Sequence, residues 1–252
     1  MYTLDDVKKV QRRLLEMAVV VRDILEANNI PYFITYGTLL GAVRHKGFIP
    51  WDDDFDFYLL AEHYDYAMVV LRDNLPECYF LEDINSEPLF FHGWAHIKDK
   101  NSLVECSQYP QDSLYAHKGI SIDLYKATKM LEADEMEFRL NEHIAYLRRK
   151  YRHGLIESET FNNKLCELQQ KLRVALSEKN LHATKYIYSF PSIYNDRLYL
   201  DELYPLARYD FEGTYFYGPK DAHNFLTRCY GDYMQLPPLE KRVPHYSSVT
   251  FL

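Results

Sequence analysis

The chain has 252 residues, 47% hydrophobic and 15% aromatic, with a formal net charge of −8. That apolar content is ample for a packed core and excludes an intrinsically disordered chain. The acidic balance argues against a general nucleic-acid binder, which needs surplus Lys and Arg to neutralise phosphates.

Leu4, Val7, Val10, Leu14, Met17, Val21, Ile24 and Leu25 recur at helical spacing and predict a helix over residues 4–28, closed by Asn28-Asn29. Pro31 opens a short strand, Tyr32 to Tyr36, which leads into a Gly37-Thr38 turn and a brief helix from Leu39 to Arg44. A loop ending at Pro50-Trp51 precedes a predicted strand over 52–60, and a helix over 62–74 ends before Pro76. Candidate strands follow at 78–81, 90–98, 102–106 and 120–125, with loops at 82–88 and 109–117. Residues 132–189 turn helical and charged, with Gly154 separating two helices and Arg148 to Arg152 reading as a solvated helix end. A β-like run over 209–217, a helix over 219–229 and a Pro-containing tail close the chain. No repeat or low-complexity linker interrupts it. The expectation is one α/β unit over 1–252: a core over 1–130, a mainly helical segment over 131–207, and a segment over 208–252 that returns to the core.

Cys78, Cys106, Cys166 and Cys229 form no C-x-x-C pair, as in a reduced cytosolic protein rather than a zinc site or disulfide frame. The N-terminus mixes acids and bases in a helical pattern, unlike a signal peptide, and no run approaches the ~20 apolar residues of a membrane span. The expected location is cytoplasmic.

The chemistry concentrates between Tyr36 and Phe57. Side chains alternate faces along a strand, so Asp52, Asp54 and Asp56 share one face, while Phe55 and Phe57 share the other. Three carboxylates on one face repel one another unless a cation lies between them, which points to a divalent metal. Asp53 has the opposite parity and is not counted as a ligand. Asp123, in Gly119-Ile-Ser-Ile-Asp-Leu-Tyr125, lies on a strand whose other face is apolar and is the best candidate for a further carboxylate from a second element. The Gly37-Thr38 turn offers backbone N–H groups and a hydroxyl at a helix start, where an anion is favoured. Arg44 adds positive charge beside it. Lys98 and Lys220 could each reach a phosphate or serve as surface lysines. His92, His96 and His117 lack metal-ligand spacing and read as structural or substrate-contacting residues. Among the 23 tyrosines and two tryptophans, convergence into an aromatic pocket would suit a quaternary ammonium group.

Gly37-Thr-Leu-Leu-Gly-Ala-Val-Arg-His-Lys-Gly-Phe-Ile-Pro-Trp-Asp-Asp-Asp-Phe-Asp56 resembles the signature of the LicD family, the phosphorylcholine transferases related to fukutin and fukutin-related protein. The resemblance returns at Lys98 to Ser102, Gly119 to Asp123, Pro219 to Asp221, Tyr230 to Pro238 and Lys241 to His245. It implies a nucleotidyltransferase-like fold, with a mixed sheet flanked by helices and a helical C-terminal part. Carried over, Asp54 and Asp56 are paired metal ligands, Asp123 is the third, and Asp52 is a ligand or supports one. Gly37 and Thr38 would contact donor phosphate. The implied reaction is Mg²⁺- or Mn²⁺-dependent transfer of a phospho-substituent from a CDP-activated alcohol to a saccharide or lipid-linked glycan acceptor, with release of CMP and peripheral membrane contact through the acceptor. A nucleotidyltransferase releasing pyrophosphate and a non-catalytic binding protein are the alternatives. Tyr125-Lys-Ala-Thr128 departs from the family, which usually continues from the aromatic with Pro, an aliphatic residue and Asp. That departure touches substituent or acceptor preference more than the metal chemistry.

Overall fold

The structure is a computed structural model and describes residues 2–106, 110–131, 134–177, 185–189 and 197–252. Its helices are α1 (Leu4–Ala27), α2 (Tyr36–His45), α3 (Ala61–Asn74), α4 (Glu135–Arg152), α5 (Ser158–Ser177), α6 (Leu200–Leu203) and α7 (Ala222–Tyr230). The strands are β1 (Asp56–Leu60), β2 (Tyr79–Glu82), β3 (Ala95–Asp99), β4 (Ser102–Cys106), β5 (Ser121–Leu131), β6 (Lys185–Ser189), β7 (Leu198–Tyr199), β8 (Ala207–Phe211), β9 (Thr214–Gly218) and β10 (Tyr246–Phe251). Among the described residues, six strands form one mixed sheet, ordered β2-β3-β5-β6-β7 with β1 also on β5; β10-β4 and β8-β9 form separate pairs. This is the mixed α/β architecture, helices flanking a mixed sheet, that the sequence predicts.

α1 starts where Thr3 and Asp6 cap each other: the Thr3 hydroxyl accepts from the Asp6 N–H at 3.2 Å, and the Thr3 N–H donates to Asp6 at 3.0 Å. Its apolar stripe of Val7, Val10, Leu14, Met17, Val21 and Leu25 is buried. The same helix holds the acidic segment, since Gln11 donates to the carbonyls of Ile49 at 3.0 Å and Asp52 at 2.8 Å. Behind that segment, Phe55 and Phe57 sit fully buried against Phe211 and Phe216.

Register across the sheet sets the site. Parallel pairing puts Asp56 opposite Asp123 and Tyr58 opposite Tyr125. Antiparallel pairing puts Asp123 opposite His96, and His96 opposite Glu82. Four ionisable side chains, Asp56, Asp123, His96 and Glu82, therefore form one row across four strands.

Several boundaries differ from expectation. The predicted strand over 32–36 is reduced to a single bridge, Phe33 to Tyr58, and α2 begins at Tyr36. The acidic strand starts at Asp56 rather than 52, although the Phe55 carbonyl already accepts from the Asp123 N–H. The strand expected over 90–98 begins only at Ala95. The helical reading of 132–189 fails at its end, where residues 185–189 pair with β5 as a strand. Charge and helical spacing dominated that window, and the partner, β5, runs on to Leu131 instead of ending at Tyr125. The tail forms β10, because it finds the edge of β4.

Gly119 shows how tightly the approach to β5 is built. A Cβ there would lie 1.7 Å from the Asp99 carbonyl oxygen, in a crossing fixed by Asp99 N–H to Ile120 O at 2.8 Å and Ile120 N–H to Ser102 Oγ at 3.0 Å. Gly119→Ala is expected to destabilise the protein by about 3 kcal/mol, read as a lower urea midpoint at unchanged slope.

Candidate active site

A cleft of about 1120 Å³ opens over the polar row. Gly37, Arg44, Asp52, Asp54, Asp56, Lys98 and Asp123, seven of the residues singled out in sequence, line it. Thr38 and Lys220 are not among the lining residues. Thr38 is 5% exposed, and its hydroxyl accepts from the Asp56 N–H at 3.1 Å, so it supports the start of β1 from beneath. Lys220 is exposed in the turn before α7, where its N–H donates to the Leu203 carbonyl.

α2 brings Gly37 against the acids. Tyr36 adopts φ 43°, uncommon for a non-glycine residue, and a Cβ on Gly37 would sit 3.3 Å from Asp52 Oδ2. At the other end of α2, Arg44 donates to the carbonyls of Tyr233 at 2.6 Å and Gln235 at 3.3 Å. It thereby ties down the C-terminal segment that walls the cleft. Arg242 lies 5.0 Å above the Trp51 ring in the same wall.

Asp53 explains how this wall is anchored. Its side chain is fully buried, and both oxygens are engaged: Oδ1 accepts from the His245 N–H at 2.7 Å and lies 3.1 Å from His245 Nδ1, while Oδ2 accepts from Tyr246 N–H and the Tyr2 hydroxyl, each at 3.0 Å. The carboxylate thus joins the N-terminus, the acidic segment and the C-terminal strand. Asp52, Asp53 and His245 bring ligand atoms within 4.8 Å of one another. Yet Asp53 has no oxygen left free of hydrogen bonds, and the ring of His245 sits among the acids as a cation. Its pKa is pushed up to about 10 by the hydrogen bond to Asp53 and the charges of Asp54 and Asp52, against the cost of burial. Sequence reasoning did not assign His245 a role; its only signal was its place in the Lys241 to His245 motif.

The remaining acids repel. Burial and then Asp54 push Asp52 well above the usual carboxylate range, and burial, Asp54 and Asp123 do the same to Asp56. Burial raises Asp54 despite the counter-charge of His245. Asp123 rises to about 7, chiefly by burial, while Lys98 opposes the shift. Trp94 Nε1 donates to Asp123 at 2.7 Å and the Tyr125 hydroxyl donates at 3.3 Å. A hard, oxygen-only set of acids, pushed up by burial despite His245 and Lys98, fits a divalent cation such as Mg²⁺ or Mn²⁺.

Lys98 is 5% exposed, buried rather than a surface lysine, with its ammonium 3.9 Å from Glu82. His96 lies between Glu82, at 3.0 Å, and Asp123, at 3.8 Å. Burial holds His96 well below its ordinary pKa and raises Glu82 to about 7. Beside the ionisable row runs an aromatic one: Tyr125 stacks between Tyr58 at 4.9 Å and Trp94 at 5.2 Å.

Residues 29–142 match the family model described as LicD/FKTN/FKRP, nucleotidyltransferase domain. That segment therefore carries a LicD-type domain. It is 26% identical over 249 residues to the lipopolysaccharide cholinephosphotransferase LicD of Haemophilus influenzae, spanning 91% of each chain. An uncharacterized protein of Rickettsia typhi is 32% identical over 128 residues, 46% of this chain and 40% of its own. Human ribitol 5-phosphate transferase FKRP is 45% identical over 51 residues, 20% of this chain and 10% of its own. The family match spans α2, the segment from Asp52 to Phe55, β1, β3 and β5, and so includes all four acids. Among the described residues, no helix is long and apolar enough to cross a membrane.

Two outcomes follow from the geometry. Asp53→Ala strands several donors at once and is expected to cost about 3 kcal/mol, measured by urea unfolding. The second concerns pH. Asp123 and Glu82 have folded pKa values near 7, above the unfolded carboxylate range, so their stabilising contribution is complete below about pH 4 and is lost as pH rises to 7. A divalent cation held in the cleft competes with the proton on Asp123. The rise in Tm on adding Mg²⁺ to metal-free protein should therefore be small at pH 5 and larger at pH 8, read by thermal unfolding in matched buffers.

Proposed function

We propose that this chain transfers a phospho-substituent, phosphocholine or a similar phospho-alcohol, from a CDP-activated donor to a hydroxyl of a saccharide or lipid-linked glycan acceptor. The observation that carries this is the pairing of Asp56 with Asp123 in adjacent strands, with Asp54 and Asp52 on the same cleft. It is supported by relatives named as cholinephosphotransferase and ribitol 5-phosphate transferase. A Mg²⁺ or Mn²⁺ ion held by Asp54, Asp56 and Asp123, with Asp52 as ligand or support, supplies charge neutralisation at the phosphoryl oxygens.

The chain's own groups do the rest. Gly37 leaves room for the diphosphate at the start of α2, where backbone N–H groups favour anions. Lys98 offers positive charge from the cleft floor. Arg44 shapes the site through the loop it holds, whereas Thr38 acts from beneath β1. Asp123 accepts the proton of the attacking hydroxyl or orients it. The hydroxyl oxygen bonds to the phosphorus bearing the alcohol, the bond from that phosphorus to the bridging oxygen breaks, and CMP departs with the electron pair. The product is a phosphodiester on the acceptor. The Tyr58, Tyr125 and Trp94 row suits a cationic substituent such as choline. A lipid-linked acceptor would bring the chain into peripheral contact with a membrane from the cytoplasmic side.

The test is incubation with Mg²⁺ and either CDP-choline or CTP. CMP release from CDP-choline supports the reading, whereas pyrophosphate release from CTP alone would replace it with nucleotidyl transfer. Asp54→Asn and Asp56→Asn are expected to remain folded, with CMP release reduced at least about 1000-fold. Turnover of either variant at the wild-type rate would remove its carboxylate from the mechanism.

A further inference from the structure

The ionisable row continues beyond the acids that the metal chemistry uses. His96 is 3% exposed, and its Nδ1 lies 3.0 Å from Glu82 Oε2. Above about pH 7, where Glu82 is ionised, its carboxylate only accepts, so this contact then places the imidazole proton on Nδ1 and leaves a lone pair on Nε2. That lone pair faces Asp123 Oδ1 at 3.8 Å, too far for a direct hydrogen bond. Two acceptors facing the cleft at that separation make a receiving site for a donor such as a hydroxyl. Glu82 itself is fully buried and does not line the cleft. Its Oε1 has no hydrogen-bond partner among the described residues, while Oε2 serves His96 and lies 3.9 Å from Lys98. Burying a carboxylate with one oxygen unsatisfied is costly, and His96 and Lys98 are the groups it holds in return.

We propose that Glu82 is a positioning residue: it holds His96 in the Nδ1–H tautomer, so that His96 Nε2 and Asp123 together receive the hydroxyl of the acceptor. This rests on the reading above, in which Asp123 faces the incoming hydroxyl. Donor binding lies outside its reach, because Glu82 acts through His96 at the acceptor end of the reaction.

The test uses the full chain with ¹⁵N-labelled histidine. In the wild type at pH 8, His96 should show a protonated Nδ1 and a bare Nε2, and adding Mg²⁺ alone should leave the Nε2 signal unmoved. A protonated Nε2 overturns the proposal, and so does an Nε2 signal displaced by Mg²⁺, which would make His96 a metal ligand. Neither measurement depends on turnover, so the tautomer is decided even if no CDP-alcohol is a donor and the functional reading falls. The activity arm follows CMP release from CDP-choline with water as the nucleophile. Glu82→Gln should give a mixed tautomer and lower kcat by about 10- to 100-fold, with CDP-choline affinity by calorimetry unchanged. Glu82→Asp, which keeps the charge, should recover part of the loss. A folded Glu82→Gln protein with wild-type kcat, or one whose loss lies wholly in donor affinity, would overturn the assignment.

Discussion

Mutual repulsion among carboxylates is the constraint around which this molecule is arranged. Asp52, Asp54, Asp56 and Asp123 share one cleft, and all four are pushed towards their protonated forms. Such a cluster scatters unless its backbone is held from several sides. Gln11 grips the carbonyl of Asp52 from α1, Thr38 receives the N–H of Asp56 from α2, and the Phe55 carbonyl accepts from the N–H of Asp123. Each restraint fixes main chain rather than carboxylate. In the proposed reading, a cation meets these acid oxygens.

Asp53 shows what a neighbouring acid does when its surroundings are reversed. It points into the protein, accepts hydrogen bonds from Tyr2, His245 and Tyr246, and converts a charge that would worsen the repulsion into a fastening for both chain ends. The same fastening delivers the imidazolium of His245 to within 3.7 Å of Asp52 and 3.6 Å of Asp54. Arg44 completes the closure by holding the loop at Tyr233 to Gln235. Two charged side chains thus join segments some 190 residues apart in sequence at the cleft wall.

Strand register then separates the chemistry by row. Asp56, Asp123, His96 and Glu82 occupy one row, and the aromatic rings of Tyr58, Tyr125 and Trp94 run beside it. Reacting phosphorus and apolar or cationic substituent can thus be handled side by side on a rigid surface. Under the proposed function, the acids serve the reaction and the rings contact the group that is carried.

Much of this was legible in the chain itself. The alternation read along the acidic segment marks Asp52, Asp54 and Asp56, which line the cleft although only Asp56 lies within β1. Asp53 reaches the cleft wall too, but its carboxylate is buried in hydrogen bonds. The apolar face of the Gly119 to Tyr125 segment marked Asp123 in the same way. Local pattern could not supply pairing. Residues 185–189 read as helix until β5 offered them an edge, Lys98 read as a surface lysine until Glu82 lay beneath it, and His245 had no partner until the tail folded back to Asp53. Sequence determined which residues share a face. Tertiary structure alone decided which faces meet, because register and closure depend on hydrogen bonds between residues far apart along the chain, and no local periodicity records them.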